Sequence, residues 1–422
     1  MESYLVKDLS KAEKKRTRDG YGDGLVVAGK DDKNVVVLSA DLTESTRAIT
    51  FQQAFPERFV QCGVAEQNMM GIAAGLALSG KIPFVSSYAV FCPGRNWDQL
   101  RVSVCYNNAN VKVAGAHAGI SVGPDGATHQ ALEDIAITRA LPRMTVIVPC
   151  DYAEAKKVTV AVAKLKGPVY FRFGRADYPV ITTEKTPFAI GRAEVYKDGK
   201  DVAIVACGSM VYEALKAAEI LEKEGVSAMV INNHTIKPID SKTLISAAQK
   251  TGCIVTAEEH QIFGGLGSAV AEAVSEKIGV PIIRVGVKDV FGESGTPDEL
   301  MDKYGLRAKD IVSAARKSIS QKLTCGEMYY PEEVHARALK TEVTPEYFFK
   351  LQGGGTIRSI VQLKEELAHM DDKVFFHHVN DVKNDFSTWI KDVYGDKKLS
   401  QLLSKHKSKH VMRDILSAWL KK

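Results

Sequence analysis

The chain has 422 residues, of which 45% are hydrophobic and 25% are charged, and its formal net charge is +5 at pH 7. This composition is that of a folded chain long enough for two or three domains, and it excludes a disordered or membrane-embedded protein. The seven cysteines are scattered and form no C-x-x-C pair, which predicts a reducing, cytoplasmic location and neither a disulfide framework nor a structural zinc site. The first 20 residues lack the apolar segment of a signal peptide, and no run of 18 apolar residues occurs, so we expect no membrane partner.

Between residues 34 and 290, short runs rich in β-branched residues alternate with helix-like segments. The runs are NVVVLSA, IPFVSSYAVF, VKVAGA, TVIVPC, PVYFRF, DVAIVACGS, SAMVIN, CIVTAEE and PIIRVGV. They lack strict alternation of polar and apolar residues, which is typical of parallel strands covered by helices on both faces. The pattern therefore predicts α/β architecture.

The segment GVAEQNMMGIAAGLALSG (63–80) places Glu66 just ahead of many small apolar residues. The segment is predicted to be a helix whose Gly and Ala residues allow close packing against another backbone. Glu66 would then face a poorly hydrated seam, where an unpaired carboxylate is costly. We therefore expect Glu66 to have a partner.

The loop HAGISVGPDGATHQ (117–130) follows the apolar run VKVAGA directly. His117, Asp125 and His129 are predicted to cluster at the C-terminal end of a strand, where open α/β sheets bind ligands. A polar loop whose histidines only satisfy backbone groups is the competing interpretation. No spacing here completes a recognisable set of metal ligands, so no metal site is predicted in this chain.

A segment rich in Pro, Gly, Thr and charged residues, 178–201, interrupts the α/β alternation. We place a first domain at residues 1–182 and a second at 187–320. In the second domain, Ser209 is predicted to cap a helix that Gly225 ends. The predicted fold class is two three-layer α/β/α domains with mostly parallel sheets, followed by a small, mainly α-helical module.

That module lies in residues 325–422, after an irregular linker. Its end is basic, with eight Lys or Arg and one acidic residue between 397 and 422. A solvated terminus is favoured over a nucleic-acid or acidic-partner surface. His377 and His378, beside Asn384 and Asp385, are candidates for a ligand site, but ordinary surface histidines of a packing module are the more frequent case.

Five motifs occur together in an order that resembles the C-terminal half of transketolase. They are SADLTES (39–45), GVAEQNM (63–69), YAVF with GRNWDQLR (88–101), HAGISVGPDGATHQ (117–130) and GRADYP (174–179). Residues 1 to about 320 thus resemble the pyrimidine-binding domain and the C-terminal domain of transketolase, encoded as a separate subunit. The module resembles an uncharacterised helical domain of archaeal-type proteins, which implies no activity.

The resemblance implies a site for thiamine diphosphate. Glu66 matches the glutamate that hydrogen-bonds N1′ of the cofactor's aminopyrimidine, which is a catalytic contact because it controls proton transfer within the ring. Tyr88 and Phe91 match aromatic residues that pack against this ring. Val64 is also carried over as a cofactor-binding residue.

A sugar-phosphate site is implied as well. Its expected members are Arg18, Ser45, His117, Asp125, His129 and Arg175. His117 and His129 are expected to be catalytic and Asp125 to accept a hydroxyl. The phosphate is expected to be bound by Arg18, Ser45 and Arg175 together with His117. For Arg18, which lies in the basic run KAEKKRTR, a solvated surface charge is the alternative.

Transketolase holds the cofactor's diphosphate and Mg²⁺ with a G-D-G motif followed by Asn, in its N-terminal half. This chain has G-D-G at 22–24 without a predicted preceding strand or a matching Asn, and we interpret it as a turn. The resemblance therefore implies that Mg²⁺ (or Ca²⁺) is held mainly by an N-terminal partner subunit, in an assembly with two copies of each.

The implied activity is transfer of a two-carbon ketol unit from a ketose phosphate to an aldose phosphate, in the pentose phosphate pathway. A 1-deoxyxylulose-5-phosphate synthase-like enzyme is the nearest alternative, but that family generally has an acidic residue and Arg where this chain has His117 and Ala118. A β subunit of a 2-oxoacid dehydrogenase is a poorer match, because such chains resemble residues 117–130 only weakly. A non-catalytic assembly subunit is the alternative from another class.

Overall fold

The computed structural model describes residues 4–325 and 342–420. The chain divides into two compact units, Met1–Cys325 and Gly326–Lys422. The predicted boundary at 182–187 therefore lies inside the first unit, in the segment that links its two large sheets. Part of the predicted linker, residues 326–341, lies outside the described residues.

The first unit is built from alternating strands and helices. Its strands are β1 (Lys14–Arg16), β2 (Val35–Ser39), β3 (Phe59–Gln61), β4 (Ile82–Tyr88), β5 (Lys112–Ala116), β6 (Thr145–Ile147), β7 (Val169–Arg172), β8 (Asp177–Pro179), β9 (Glu194–Lys197), β10 (Val202–Ala206), β11 (Ala228–Asn232), β12 (Thr235–Lys237), β13 (Ile254–Gln261) and β14 (Ile282–Val287). Its helices are α1 (Thr17–Asp31), α2 (Ile49–Ala54), α3 (Glu66–Leu78), α4 (Trp97–Gln99, continued by a π-helical segment, Leu100–Tyr106), α5 (Asp134–Arg139), α6 (Tyr152–Lys164), α7 (Met210–Lys223), α8 (Ser241–Thr251), α9 (Leu266–Ser275), α10 (Pro297–Lys303) and α11 (Ala308–Cys325).

Two large sheets organise this unit. The first has the strand order β12-β6-β7-β5-β4-β2-β3, and the second has the order β14-β13-β10-β11-β9. Neighbouring strands are parallel except at one edge of each sheet, where β12 and β9 run antiparallel. The fold class is therefore confirmed as α/β with mostly parallel sheets. β1 and β8 form a separate antiparallel pair.

Both faces of the first sheet are buried, as the uninterrupted apolar runs predicted. Val35 and Val37 on β2 share a core with α1, α2 and α6, whereas Val36 and Leu38 on the same strand pack towards α3. Successive side chains of a strand point to opposite faces, so this division requires helices on both sides. The fully buried Val and Leu side chains each stabilise the fold by roughly 1.5–3 kcal/mol.

All nine predicted runs form strands, but the short strands β1, β3, β8, β9 and β12 were missed. These have only three or four residues and weak apolar patterns. β12 illustrates the cause, because it follows β11 in the second sheet yet pairs with β6 in the first. Its pairing depends on how the two sheets meet, which no local pattern encodes.

The interpretation of G-D-G as a turn is wrong, because residues 22–24 lie inside α1, which the short strand β1 precedes. The glycines of this helix allow close packing. A Cβ on Gly20 would lie 2.2 Å from the Tyr152 carbonyl oxygen, and a Cβ on Gly24 would lie 2.5 Å from the Thr159 Cβ, both on α6. Within the motif, Gly24 therefore serves the α1–α6 contact, whereas a Cβ on Gly22 would lie 2.9 Å from the Arg47 carbonyl oxygen.

The second unit is a small helical module, as predicted. It contains the strand pair β15 (Phe349–Lys350) and β16 (Thr356–Ile357) and the helices α12 (Ile360–His369), α13 (Asp372–His378), α14 (Asp385–Tyr394), α15 (Lys397–Ser404) and α16 (Lys409–Trp419). Four of the helices begin with side-chain caps from Ser359, Asp371, Asn384 and Asp396.

His378 is buried, so its interpretation as an ordinary surface histidine is wrong. Its Nδ1 donates to Asp385 at 3.0 Å, and its Nε2 accepts from the Gln352 backbone N–H at 3.1 Å. Both ring nitrogens are thus engaged inside the module, which is a structural role.

Across residues 4–325 and 342–420, no helix is both long enough and apolar enough to cross a membrane.

Glu154 on α6 is a buried carboxyl group in the first unit. It accepts hydrogen bonds from the Cys150 backbone N–H at 2.7 Å and from Asn232 Nδ2 at 2.8 Å. Burial, followed by the nearby Asp151 carboxylate, raises the pKa of Glu154 from its ordinary 4.5 to about 7. The folded chain thus holds this proton more tightly than the unfolded chain.

We expect the replacement Glu154→Gln to change how stability depends on pH. The stabilising contribution of the Glu154 proton is complete below the unfolded pKa of 4.5 and is lost as the pH rises through 7. Relative to Glu154→Gln, the unmodified chain should lose about 2 kcal/mol of unfolding free energy between pH 5 and 8. Urea denaturation at several pH values measures this. A difference that does not vary with pH would contradict it.

Buried histidines make stability depend on pH in the opposite direction, and comparing the unmodified chain with Glu154→Gln cancels their effect. Burial lowers the pKa of His117 to about 3 and the pKa values of His234 and His260 to about 4. These histidines stabilise the fold above their unfolded pKa, and this contribution is lost as the pH falls. They are present in both proteins, so their effect does not enter the difference.

Candidate active site

Glu66 is the first residue of α3 and is only 1% exposed. It lies at a helix N-terminus, where the free backbone N–H groups carry partial positive charge. Its Oε2 lies 2.8 Å from Arg95 Nη1, and Ser87 Oγ donates to its Oε1 at 3.4 Å. The predicted helix and the burial of Glu66 are both present.

Arg95 was not recognised from the sequence as the partner of Glu66. The motif GRNWDQLR contains it, but a motif does not state which carboxylate an arginine meets. Its guanidinium also lies over the Phe91 ring, 4.6 Å from the centroid, and its side chain is 47% exposed. The carboxylate thus has a partner within the chain itself, whereas the cofactor was expected to be that partner.

Tyr88 and His117 stack on each other at the ends of adjacent parallel strands. Tyr88 ends β4 and His117 follows β5, and their ring centroids are 4.2 Å apart with an interplanar angle of 18°. His129 meets Tyr88 and Phe91 edge-on, with centroid distances of 6.0 and 5.4 Å. The structure therefore brings together the predicted aromatic and imidazole side chains at one edge of the first sheet, beside Ser87 and Glu66.

The hydrogen bonds of His117 define its tautomer. Arg18 Nη1 lies 3.0 Å from His117 Nε2, and because a guanidinium can only donate, Nε2 accepts. The ring proton of the neutral imidazole therefore sits on Nδ1, which is buried and has no hydrogen-bond partner among the described residues. Burial, followed by the charge of Arg18, lowers the pKa of His117 to about 3, so the ring is neutral near pH 7. An unpaired buried donor of this kind is suited to a bound ligand.

The remaining predicted substrate residues lie around His117. Arg18 on α1 donates to the Ser45 backbone oxygen at 2.8 Å, and its buried Nε has no hydrogen-bond partner in the described part of the chain. Arg175 pairs with Asp125 at 2.8 Å. Burial, followed by nearby arginines that include Arg175, lowers the pKa of Arg18. Arg18 is thus a half-buried member of the cluster and not a solvated surface charge.

Val64 precedes α3 and is 70% exposed, unlike the buried Glu66 two residues later. The crowded seam expected along α3 is only half present. Met69 and Ala73 are buried on the inner side, whereas a Cβ on Gly71 or Gly75 would meet nothing within 4 Å. The glycines of α3 face outwards.

Within residues 4–325 and 342–420, no group of three or more His, Cys, Asp or Glu side chains is arranged to hold a metal ion. The cofactor implied by the resemblance fits the residues that are present. A buried carboxylate, two aromatic rings and an unpaired buried imidazole N–H would suit a flat heterocycle and a polar substrate.

Two family models match the chain and define the class to which the first unit belongs. The model for the transketolase pyrimidine binding domain matches residues 13–180, and the model for the transketolase C-terminal domain matches residues 191–311. Neither match reaches the helical module.

Individual relatives narrow this class to a split form. A protein of Methanocaldococcus jannaschii that carries the name of a transketolase C-terminal section is 48% identical over 300 residues, which cover 70% of this chain and 94% of that protein. The 6-deoxy-6-sulfo-D-fructose transketolase subunit SqwH of Clostridium sp. is 44% identical, with 74% of this chain and 97% of SqwH covered. A solved split gene transketolase, described as an inactive beta4 tetramer, is 50% identical with a TM-score of 0.69, covering 73% of this chain and 99% of its own. The chain belongs to the transketolase family, as the C-terminal section of its split form.

Proposed function

We propose that this chain is the catalytic C-terminal subunit of a two-subunit transketolase. With an N-terminal subunit and thiamine diphosphate, it transfers a two-carbon ketol unit from a ketose phosphate to an aldose phosphate. The observation that carries the proposal is the buried Glu66 carboxylate at the start of α3, beside the stacked Tyr88 and His117 rings.

Thiamine diphosphate, when bound, supplies the nucleophilic carbon and the electron sink needed to break and form the bond next to a sugar carbonyl. In our proposal the Glu66 carboxylate holds a proton at the aminopyrimidine N1′, and Tyr88 and Phe91 provide its apolar surroundings. For this to occur, the carboxylate exchanges Arg95 for the ring nitrogen. The exposed Arg95 side chain can move without disturbing the core.

The substrate residues divide into two roles. Arg18 and Arg175 supply guanidinium groups that match the geometry of a phosphate, and Arg18 holds an unpaired buried Nε. His117 donates a hydrogen bond from its Nδ1–H to a substrate oxygen, and the ring is the neutral imidazole because its pKa is lowered to about 3. His129 and Asp125 act on the remaining oxygens of the sugar, Asp125 as the acceptor of a hydroxyl.

The partner subunit holds the diphosphate and Mg²⁺ (or Ca²⁺) in this proposal. Its support is that G-D-G lies inside α1 and that the described residues contain no metal-ligand cluster. The outward side of α3, with Gly71, Gly75, Ile72 and Leu78, is an exposed apolar face suited to another polypeptide. An assembly of two copies of each subunit stays a prediction, as does a cytoplasmic location.

Mixing the two purified subunits tests the proposal. We expect each subunit alone to be inactive and the mixture, with thiamine diphosphate and Mg²⁺, to consume xylulose 5-phosphate in the presence of an aldose phosphate. Pyruvate and a sulfonated ketose serve as competing donors, the latter because of the SqwH relative. Turnover of pyruvate alone would establish the 1-deoxyxylulose-5-phosphate synthase-like alternative. A stable complex without turnover of any donor would favour the assembly subunit.

A further inference from the structure

A carboxylate from the second sheet contacts the loop that carries the predicted substrate residues. We define the substrate loop as residues 117–132, which contain His117, Asp125 and His129. Glu259 lies near the end of β13, and its Oε1 accepts the Ser121 backbone N–H at 2.7 Å. The two residues are 138 positions apart in the chain, so the contact joins the two α/β domains.

The other oxygen of Glu259 is held on the same side. Ser209 Oγ donates to Oε2 at 2.7 Å, and Tyr178 OH lies 3.2 Å from the same atom. Tyr178 also hydrogen-bonds Ser121 Oγ directly. Ser209 was predicted to cap α7 with its side chain, but it makes no capping bond and contacts Glu259 instead. Three donors from three segments thus converge on one carboxylate.

Gly119 shows how closely the carboxylate approaches the loop. A Cβ at this position would lie 2.2 Å from Glu259 Oε1, and the φ angle of +87° favours glycine. Around the same loop, Gln130 Nε2 donates to the Glu293 backbone oxygen at 2.9 Å, and the Gln261 backbone N–H donates to the Leu132 oxygen at 2.8 Å. The second domain therefore supports both ends of the loop.

We propose that Glu259 is a positioning residue that holds the substrate loop in its binding conformation. It acts through Ser121, four residues after His117, and does not itself touch substrate. This gives the second domain a defined role in the activity, since loss of the contact frees the segment that follows His117. The inference rests on the proposed function for its catalytic consequence, but the contact itself is testable without catalysis.

The test compares Glu259→Ala with Glu259→Gln in the full chain by hydrogen exchange. Removal of the carboxylate should make the backbone amides of residues 118–123 exchange at least about tenfold faster, with exchange in α3 unchanged. Gln retains an oxygen for the Ser121 N–H, and its amide can donate to the hydroxyl groups, so Glu259→Gln should restore most of the protection. Unchanged loop exchange in Glu259→Ala would overturn the proposal.

Glu272→Ala is the matched control. Glu272 also pairs across the two domains, with Arg139, but it does not contact the substrate loop. If exchange of residues 118–123 rises equally in this variant, Glu259 acts only as a general contact between the domains, which would overturn the proposal. If Glu259→Ala does not fold, the double variant Ser209→Ala with Tyr178→Phe removes two of the three bonds, and local loosening of residues 118–123 remains the expected result.

The activity of the reconstituted complex provides the second measurement. For Glu259→Ala we expect kcat/KM for the ketose phosphate to fall about 10- to 100-fold, because small displacements of substrate-positioning groups have effects of this size. Glu259→Gln should stay within about threefold of the unmodified enzyme. Failure of the unmodified complex to transfer ketol units refutes the proposed function alone, because the exchange measurement decides the positioning role separately.

Discussion

Glu66→Gln is expected to lower ketol transfer by the reconstituted complex by about 10²–10⁴-fold, the usual range for loss of a general acid–base group. Gln has nearly the same shape but carries no charge, so it cannot hold a proton at the aminopyrimidine as a carboxylate does. The assay is single-turnover and steady-state ketol transfer at saturating cofactor, so that weaker cofactor binding does not account for the loss.

A control is needed because Glu66 also pairs with Arg95. Glu57→Gln removes an exposed carboxylate that pairs with its neighbour Arg58, and it should leave activity unchanged. Circular dichroism should show that Glu66→Gln retains the fold. Ketol transfer at the unmodified rate in Glu66→Gln would contradict a catalytic role and favour an assembly subunit.

Arg18→Ala should raise KM for a phosphorylated donor by about 10- to 100-fold. A hydrogen bond to a charged group contributes about 1.5–3 kcal/mol, which corresponds to this range. For the same ketose without its phosphate, Arg18→Ala should change KM little, because the guanidinium acts on the phosphate. The measurement is therefore the ratio of kcat/KM for the two donors. Arg18→Lys should give a ratio between those of the unmodified enzyme and Arg18→Ala, since lysine keeps the positive charge but lacks the forked guanidinium.

Arg16 is the matched control for Arg18. It lies two residues away in the same basic run but pairs with Asp177 at the surface, and Arg16→Ala should leave the donor ratio unchanged. An equal loss for phosphorylated and unphosphorylated donors in Arg18→Ala would contradict the phosphate role. That result would mean that Arg18 has a structural role only, through its contacts with His117 and Ser45.

Local patterns in the sequence were sufficient for the α/β class, the nine main strands, the helix that begins at Glu66 and the position of the substrate loop. Each depends on the spacing of apolar residues or on residues that follow a strand directly, and these relations are set by neighbours in the chain. The motifs also identified Tyr88, His117 and His129 as candidates, and the structure places them in contact.

Only the tertiary structure decided the partners of these residues. Arg95 beside Glu66, the neutral His117 with its proton on Nδ1, and Glu259 on the substrate loop all depend on contacts between residues 29 to 138 positions apart. The same reason explains why β12 was missed and why G-D-G lies in a helix. Hydrogen bonds and burial are set by which segments meet in space, and a chain's local periodicity does not contain that information.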